Sequence, residues 1–192
     1  MEGFMRVPAL LLIMLTAACA GGPPASPQGF AADPSEAPPT GGIKLSGSGE
    51  FTTSDTSAIV YDRKLAPKGA QASATVESSD NTTRTSLVVE GMLPNHHYGA
   101  HLHKKPCGTK PDAAGPHYQH VPGEVSPKSE VWLDLTTNGE GAGRATARND
   151  WALDPGELPR SLVIHAKATK TAGPQVGEAG ARVACLTLKK AS

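Results

Sequence analysis

The chain has few aromatic residues and no net charge. Aromatic side chains make up 4% of its 192 residues, and lysine plus arginine number 18, as do aspartate plus glutamate. A nucleic-acid-binding surface needs basic residues interleaved with aromatic ones, so nucleic acid is not an expected partner. A general electrostatic attraction to membranes is disfavoured for the same reason.

The sequence also lacks any apolar run long enough to span a bilayer. The longest candidate covers residues 7–15 and follows the positive charge of Arg6. A short apolar stretch behind a positive charge is typical of an export signal, so residues 1–18 are predicted to be a signal peptide. Glu2 weakens the charged region, and initiation at either Met1 or Met5 stays open.

Cysteine is scarce and odd in number, with three in the chain. Cys19 follows Thr16-Ala17-Ala18, a junction that resembles a bacterial lipoprotein signal, in which the cysteine is lipidated and becomes the mature N-terminus. Cleavage after Ala20 is the alternative and would secrete the protein. If Cys19 carries lipid, Cys107 and Cys185 remain as an even pair available for a disulfide.

Residues 19–45 contain Pro, Gly, Ala and Ser with hardly a large apolar side chain. Such a segment cannot bury enough surface to offset the entropy of ordering it, so it is predicted to be a flexible tether. Residues 46–192 remain for a single domain. With lipid on Cys19, that domain is expected to be anchored to the cell membrane on the outside of the cytoplasm.

No segment shows a helical period, and short β-rich runs alternate with turn residues, which favours an all-β sandwich or barrel. Residues 78–81 and the pair Asn138-Gly139 are predicted to be hairpin turns that join antiparallel neighbours. Long connections such as residues 104–129 are where function is expected. The eight predicted strands cover residues 57–65, 71–77, 84–90, 98–103, 130–137, 142–147, 161–165 and 182–188.

Four histidines occur in specific settings. His101 and His103 are one residue apart in a predicted strand, so their imidazoles point to the same face. His117 follows a short loop later, and His165 ends an apolar run. Four imidazoles indicate a site for copper, zinc or another metal ion that prefers nitrogen ligands.

Four sequence blocks together resemble the copper-zinc superoxide dismutases: His-Leu-His at 101–103, Gly-Pro-His at 115–117, Leu-Val-Ile-His at 162–165 and Gly-Glu-Ala-Gly-Ala-Arg-Val-Ala-Cys at 177–185. The resemblance runs from about Gly47 to the C-terminus and is most specific in the last block. It implies an eight-stranded Greek-key β-barrel. It leaves the oligomeric state open, because the family uses more than one dimer interface.

The resemblance also implies roles for individual residues. The four copper ligands fall on His101, His103, His117 and His165, and the arginine that guides the anion falls on Arg182. The intrasubunit disulfide falls on Cys107 and Cys185. Independently of the resemblance, four lysines in the flanking loops are expected to add to the local positive charge; they are Lys104, Lys105, Lys167 and Lys170.

The zinc half of the family's site fits less well. A zinc site here would draw on His117, His120 and either Glu130 or Asp134, whereas a structural zinc site requires four ligands. The segment between His165 and Arg182 contains no aspartate to link the two metal sites. The pattern is therefore similar to the copper-only members of the family, with zinc left uncertain.

The expected function is dismutation of superoxide to oxygen and hydrogen peroxide in the cell envelope, with copper as the cofactor and the superoxide anion as the substrate. His117 is expected to carry a proton to the product, and Arg182 to attract the anion. The alternative is an envelope copper-binding protein on the same fold with little or no dismutase activity.

Overall fold

The computed structural model describes residues 42–191, which contain ten β-strands and one short 3-10 helix, Pro111–Ala114. The all-β prediction is confirmed, with ten strands where eight were expected. They are β1 Ile43–Glu50, β2 Ala58–Val60, β3 Gln71–Ser79, β4 Thr82–Glu90, β5 His97–His103, β6 Leu135–Thr136, β7 Gly143–Asn149, β8 Ser161–His165, β9 Arg182–Thr187 and β10 Lys189–Lys190.

The strands form two five-stranded sheets in which all strand pairs are antiparallel. One sheet has the order β10-β1-β3-β4-β7, and the other has the order β2-β9-β8-β5-β6. Alternate residues of both sheets are buried in one apolar core, as the pleat of a strand requires. Its fully buried members include Phe51, Leu87, Leu102, Leu162 and Leu186.

The strand β1 was not predicted, because its sequence is rich in Gly and Ser, which have low strand propensity. It starts at Ile43, three residues before the predicted start of the domain, and pairs with β3 along its whole length. A Cβ on Gly47 would lie 2.4 Å from the carbonyl oxygen of Thr187, so the glycine permits the close approach of β9. The predicted signal peptide, the lipidation site Cys19 and the tether up to residue 41 lie outside the described residues.

Two predicted strands are shorter in the structure. The first, predicted at residues 57–65, is reduced to β2, because the chain turns after Val60 and the Ala66 amide bonds to the Asp62 carbonyl at 2.9 Å. The second, predicted at residues 130–137, is reduced to β6. The first half of the predicted strand runs beside β5 and makes only isolated contacts with it. One of these is the hydrogen bond that the Leu133 amide donates to the Ala100 carbonyl at 2.8 Å.

The two predicted hairpin turns differ in outcome. Asp80 and Asn81 have φ of 47° and 61°, and they join β3 to β4 in the tight turn that was expected. Asn138-Gly139 lies in a loop between β6 and β7, which belong to different sheets. The prediction that this turn joins paired neighbours is therefore wrong; the loop carries the chain from one sheet to the other.

The disulfide between Cys107 and Cys185 is present and fastens the long β5–β6 connection to β9. The Cys107 amide also donates to the Thr187 hydroxyl at 3.1 Å. The connection is thereby held against the sheet that contains β5, β8 and β9. Within residues 42–191, none of the elements is a helix long and apolar enough to span a membrane.

Candidate metal centre

Two adjacent strands of the second sheet and one loop bring the four histidines together. His101 and His103 lie on one face of β5, and His165 ends the neighbouring strand β8, where it pairs with Gly99. His117 comes from the long loop, which makes an antiparallel contact with β5 at His103. One ring nitrogen of each histidine lies within 4.8 Å of the others, a spacing that one metal ion can bridge.

Backbone carbonyls fix two of the four rings. The Nδ1 of His103 lies 2.9 Å from the Gly115 carbonyl, and the Nδ1 of His165 lies 3.2 Å from the Gly180 carbonyl. A carbonyl only accepts, so both Nδ1 atoms carry the proton and both Nε2 atoms present a lone pair. These two Nε2 atoms are buried and have no hydrogen-bond partner. A metal ion that prefers nitrogen ligands would satisfy them, so the residues fit copper.

A buried carboxylate fixes the third ring. The Nδ1 of His117 donates to Glu130 Oε2 at 2.8 Å, and Glu130 is only 1% exposed. The same carboxylate accepts hydrogen bonds from the side chains of Gln119 and Trp132, each at 2.8 Å. Burial raises the pKa of Glu130, but the hydrogen bonds from His117, Gln119 and Trp132 outweigh it and hold that pKa below its ordinary value.

A hydroxyl contacts the fourth ring. His101 Nε2 lies 2.8 Å from Thr169 Oγ1, and His101 Nδ1 lies 3.0 Å from His117 Nε2. Thr169 belongs to the loop after β8, and its amide donates to Asp134 Oδ1 at 2.5 Å. Sequence reasoning missed Thr169, because a single threonine in a loop carries no motif.

The structure does not bring the four zinc candidates together. The ring of His120 stacks parallel on Trp151 with 4.8 Å between ring centroids, and Asp134 is occupied by the Thr169 amide. Of the other three candidates, only Glu130 contacts His117, and it does so through a hydrogen bond from His117 Nδ1. Within residues 42–191, the four-histidine cluster is the one group with metal-binding geometry.

Burial keeps three of the four histidines neutral: His101, His103 and His165. It lowers the pKa of His165 to about 4 and that of His103 to about 2, and the proximity of His117 lowers both pKa values further. The pKa of His101 is also lowered far below its ordinary value, first by burial and then by His117. Neutral imidazole is the form that binds a metal, so these three residues are in the ligand form across the physiological range.

Arg182 stands at the mouth of the centre. Its guanidinium donates to the Pro111 carbonyl at 2.8 Å and to the Gly115 carbonyl at 2.6 Å. These bonds fix the guanidinium beside a cavity of about 520 Å³, which His117, His165 and Glu130 also line. A small anion that enters this cavity meets a fixed positive charge next to the histidines.

The four flanking lysines do not act as one group of free charges. Lys104 pairs with Glu157 at 2.6 Å, and Lys170 lies 3.7 Å from Glu178. The stems of Lys105 and Lys167 lie over Gly115 and Gly180, since a Cβ on either glycine would be 3.2 Å from the lysine Cγ. Of these five cations, only Arg182 lines the cavity beside the histidines.

A family model described as copper/zinc superoxide dismutase matches residues 70–187, a range that contains the four histidines, Arg182 and both bridged cysteines. No curated protein matches the chain.

Proposed function

The chain belongs to the copper/zinc superoxide dismutase family, and we propose that it converts superoxide to oxygen and hydrogen peroxide with copper held by His101, His103, His117 and His165. The observation that carries this proposal is the convergence of four imidazole nitrogens, two of them buried without a partner. Copper suits such a site because imidazole is a good ligand for it and the reaction needs a metal with two oxidation states.

The overall reaction consumes two superoxide anions and two protons and yields one oxygen and one hydrogen peroxide. Bound copper supplies the one-electron oxidation and reduction. His117 is placed to handle a proton at Nε2, because its Nδ1 proton stays bonded to Glu130. The buried carboxylate stabilises the positive charge that the ring gains when Nε2 is protonated.

Arg182 is proposed to bind the incoming anion. Both of its arms are held by carbonyls of the loop that also carries His117, so its charge is fixed without reorganisation. A fixed positive charge in the lining of the cavity that reaches the histidines attracts a small anion and raises the rate of its capture.

We propose further that the protein works with copper alone. The hydrogen bond of His117 to Glu130 occupies the nitrogen that zinc would require, and His120 and Asp134 have other contacts. Glu130 then takes over the role of orienting His117, as acceptors commonly do for metal-bound histidines.

The test is the dismutation rate of the purified protein loaded with copper alone and with copper plus zinc. A fast rate with copper alone that zinc leaves unchanged supports the proposal. A rate that appears only with zinc would contradict the copper-only part. Stoichiometric copper with negligible turnover in both samples would overturn the enzyme proposal in favour of the alternative, an envelope copper-binding protein.

We also propose that the protein is exported and anchored through lipid on Cys19. The support is the sequence alone: an export signal, a cysteine after small residues and a tether-like segment. Mass spectrometry of the mature N-terminus decides the matter. A diacylglyceride on Cys19 supports anchoring, and a free N-terminus at Gly21 would indicate secretion.

A further inference from the structure

The contact of His101 with Thr169 differs in kind from those of the other three histidines. Gly115, Gly180 and Glu130 offer their histidines oxygens that only accept hydrogen bonds. Thr169 offers a hydroxyl, which both donates and accepts. Thr169 is 7% exposed, so its hydroxyl is shielded from water.

The position of Thr169 is set by two residues on other elements. Asp134 accepts a hydrogen bond from the Thr169 amide at 2.5 Å and so holds the loop backbone. Gly99 on β5 leaves room for the threonine, because a Cβ there would lie 2.8 Å from Thr169 Oγ1 and 2.9 Å from the Lys167 carbonyl oxygen. Three separate segments thus place one hydroxyl against His101.

The proton positions on His101 follow from its neighbours. His117 Nδ1 donates to a carboxylate, so Nε2 of the neutral ring is an acceptor. The 3.0 Å hydrogen bond between His117 Nε2 and His101 Nδ1 then places the proton on His101 Nδ1. His101 Nε2 is left as an acceptor, and the Thr169 hydroxyl donates to it at 2.8 Å.

A metal at His101 Nδ1 requires the other tautomer, with the proton on Nε2. The Thr169 hydroxyl can accept from that proton without moving, whereas an acceptor-only partner would satisfy just one of the two tautomers.

We propose that Asp134 and Thr169 form a positioning pair for the metal centre, in which the threonine hydroxyl orients His101 and satisfies both of its tautomers. Asp134 holds the loop, and Thr169 keeps His101 Nδ1 directed at the other three histidines. Neither residue touches the substrate. The proposal rests on the proposed copper site and adds to it how one ligand is oriented.

The first experiment compares Thr169→Val, which keeps the shape without the hydroxyl, with Thr169→Ser, which keeps the hydroxyl. The readouts are the copper dissociation constant and the Cu(II) electron paramagnetic resonance spectrum. Loss of a partner that orients a metal-bound histidine costs about 10- to 100-fold in affinity, so Thr169→Val is expected to bind copper that much more weakly with an altered spectrum. Thr169→Ser is expected to keep the spectrum unchanged and to have a copper dissociation constant within about threefold of that of the unsubstituted protein.

A matched pair tests Asp134. Asp134→Asn keeps an oxygen for the Thr169 amide and is expected to preserve the spectrum, whereas Asp134→Ala removes it and is expected to resemble Thr169→Val. Circular dichroism of each variant checks that it is folded. A folded Thr169→Val with unchanged affinity and spectrum would overturn the proposal, and so would equal losses in Thr169→Ser and Thr169→Val.

A second measurement needs no copper and therefore fails separately from the proposed function. Long-range ¹H–¹⁵N spectra of the metal-free protein report the tautomer of each histidine, and His101→Gln identifies the His101 signal by its loss. The expected result is a proton on His101 Nδ1, and a proton on Nε2 would contradict the tautomer argument. If the unsubstituted protein shows the expected tautomer and yet binds no copper, the proposed function fails, while the hydrogen bond by which Thr169 orients His101 stands.

Discussion

At the scale of single residues, the centre depends on what each imidazole meets at its outer nitrogen. Two carbonyls, one carboxylate and one hydroxyl contact the four rings, and the hydroxyl is the one group among them that can donate as well as accept. Side chains fixed in this way lose little entropy when they bind a metal. The residues that support the ligands are therefore the first places to test.

Removal of the charge of Glu130 is expected to slow the reaction. In Glu130→Gln the shape remains, but the charge that stabilises protonated His117 is gone. Hydrogen bonds to charged groups contribute about 1.5–3 kcal/mol, so the dismutation rate is expected to fall about 10- to 100-fold. Glu124→Gln, in the same loop and exposed, is the matched control. Equal rates for the two variants would remove Glu130 from the mechanism.

Removal of the charge of Arg182 is expected to reduce the capture of the anion. A charge that steers a small ion changes its rate of association about 10-fold or more. We therefore expect Arg182→Gln to lower kcat/KM about 10-fold and to flatten its dependence on salt. Arg144→Gln, the same change at an exposed position of β7, should leave both unchanged. A salt dependence that persists in Arg182→Gln would assign the attraction to other groups.

The histidines and Arg182 could be predicted from the sequence, because they fall in short blocks with fixed spacing. Glu130 was named as a metal candidate, and the structure gives it another partner, His117. Thr169 could not be predicted, because its contact depends on a loop path that Gly99 and Asp134 determine through space.

At the scale of elements, the disulfide is expected to stabilise the loop that carries His117. It joins residues 78 apart in sequence, and in the chain-entropy model a loop of that length contributes about 4.5 kcal/mol. Native-state strain commonly reduces this value, so we expect Cys107→Ser/Cys185→Ser to lose about 2–5 kcal/mol in free energy of unfolding. Urea unfolding measures the loss. If each single variant loses as much as the double variant, the bond itself is the cause; an undiminished stability of the double variant would contradict the prediction.

The close contact of β1 with β9 gives a second test. In Gly47→Ala the new Cβ would meet the Thr187 carbonyl oxygen at 2.4 Å, so the strands must separate. Overpacking of this kind costs about 1–3 kcal/mol. Gly139→Ala is the control, since nothing lies within 4 Å of a Cβ there and its φ is not positive. Similar urea midpoints for the two variants would show that β1 can move away from β9 without loss of stability.

Strands with β-branched and apolar residues were predictable, and those without them were not. The strand β4 alternates buried residues with exposed or half-buried ones over its whole length, which is the pattern that predicts a strand with one buried face. By contrast, β1 contains two glycines, and β10 is two exposed lysines that pair with Leu45 and Ser46. Both form strands because they pair with neighbouring strands of the sheet, and local strand propensity does not report such pairing.

At the scale of the whole molecule, the two sheets have different roles. The sheet of β2, β9, β8, β5 and β6 holds three of the four histidines and Arg182 on adjacent strands, and the disulfide adds the loop with His117. The other sheet covers the opposite side of the core and holds none of these residues. The candidate metal centre therefore lies on one sheet and its loops.

Burial of neutral histidines makes the stability of the metal-free protein depend on pH. The unfolded chain protonates its histidines near pH 6.5, whereas the folded-state pKa is about 4 for His165, about 2 for His103 and lower still for His101. Between pH 6.5 and 4.5 the unfolded state therefore binds more protons, and stability is lost as the pH falls. Each histidine contributes about 1.4 kcal/mol per pH unit, so the three together give up to about 4 kcal/mol per unit.

Urea unfolding of the metal-free protein at several pH values measures this slope. His165→Gln removes one of the three groups, and its slope is expected to be smaller by about 1.4 kcal/mol per pH unit. Addition of copper is expected to raise the free energy of unfolding at every pH in this window, because the metal binds the folded state. A free energy of unfolding that does not change between pH 6.5 and 4.5 would contradict the prediction. It would mean that the buried histidines accept protons in the folded protein as readily as in the unfolded chain.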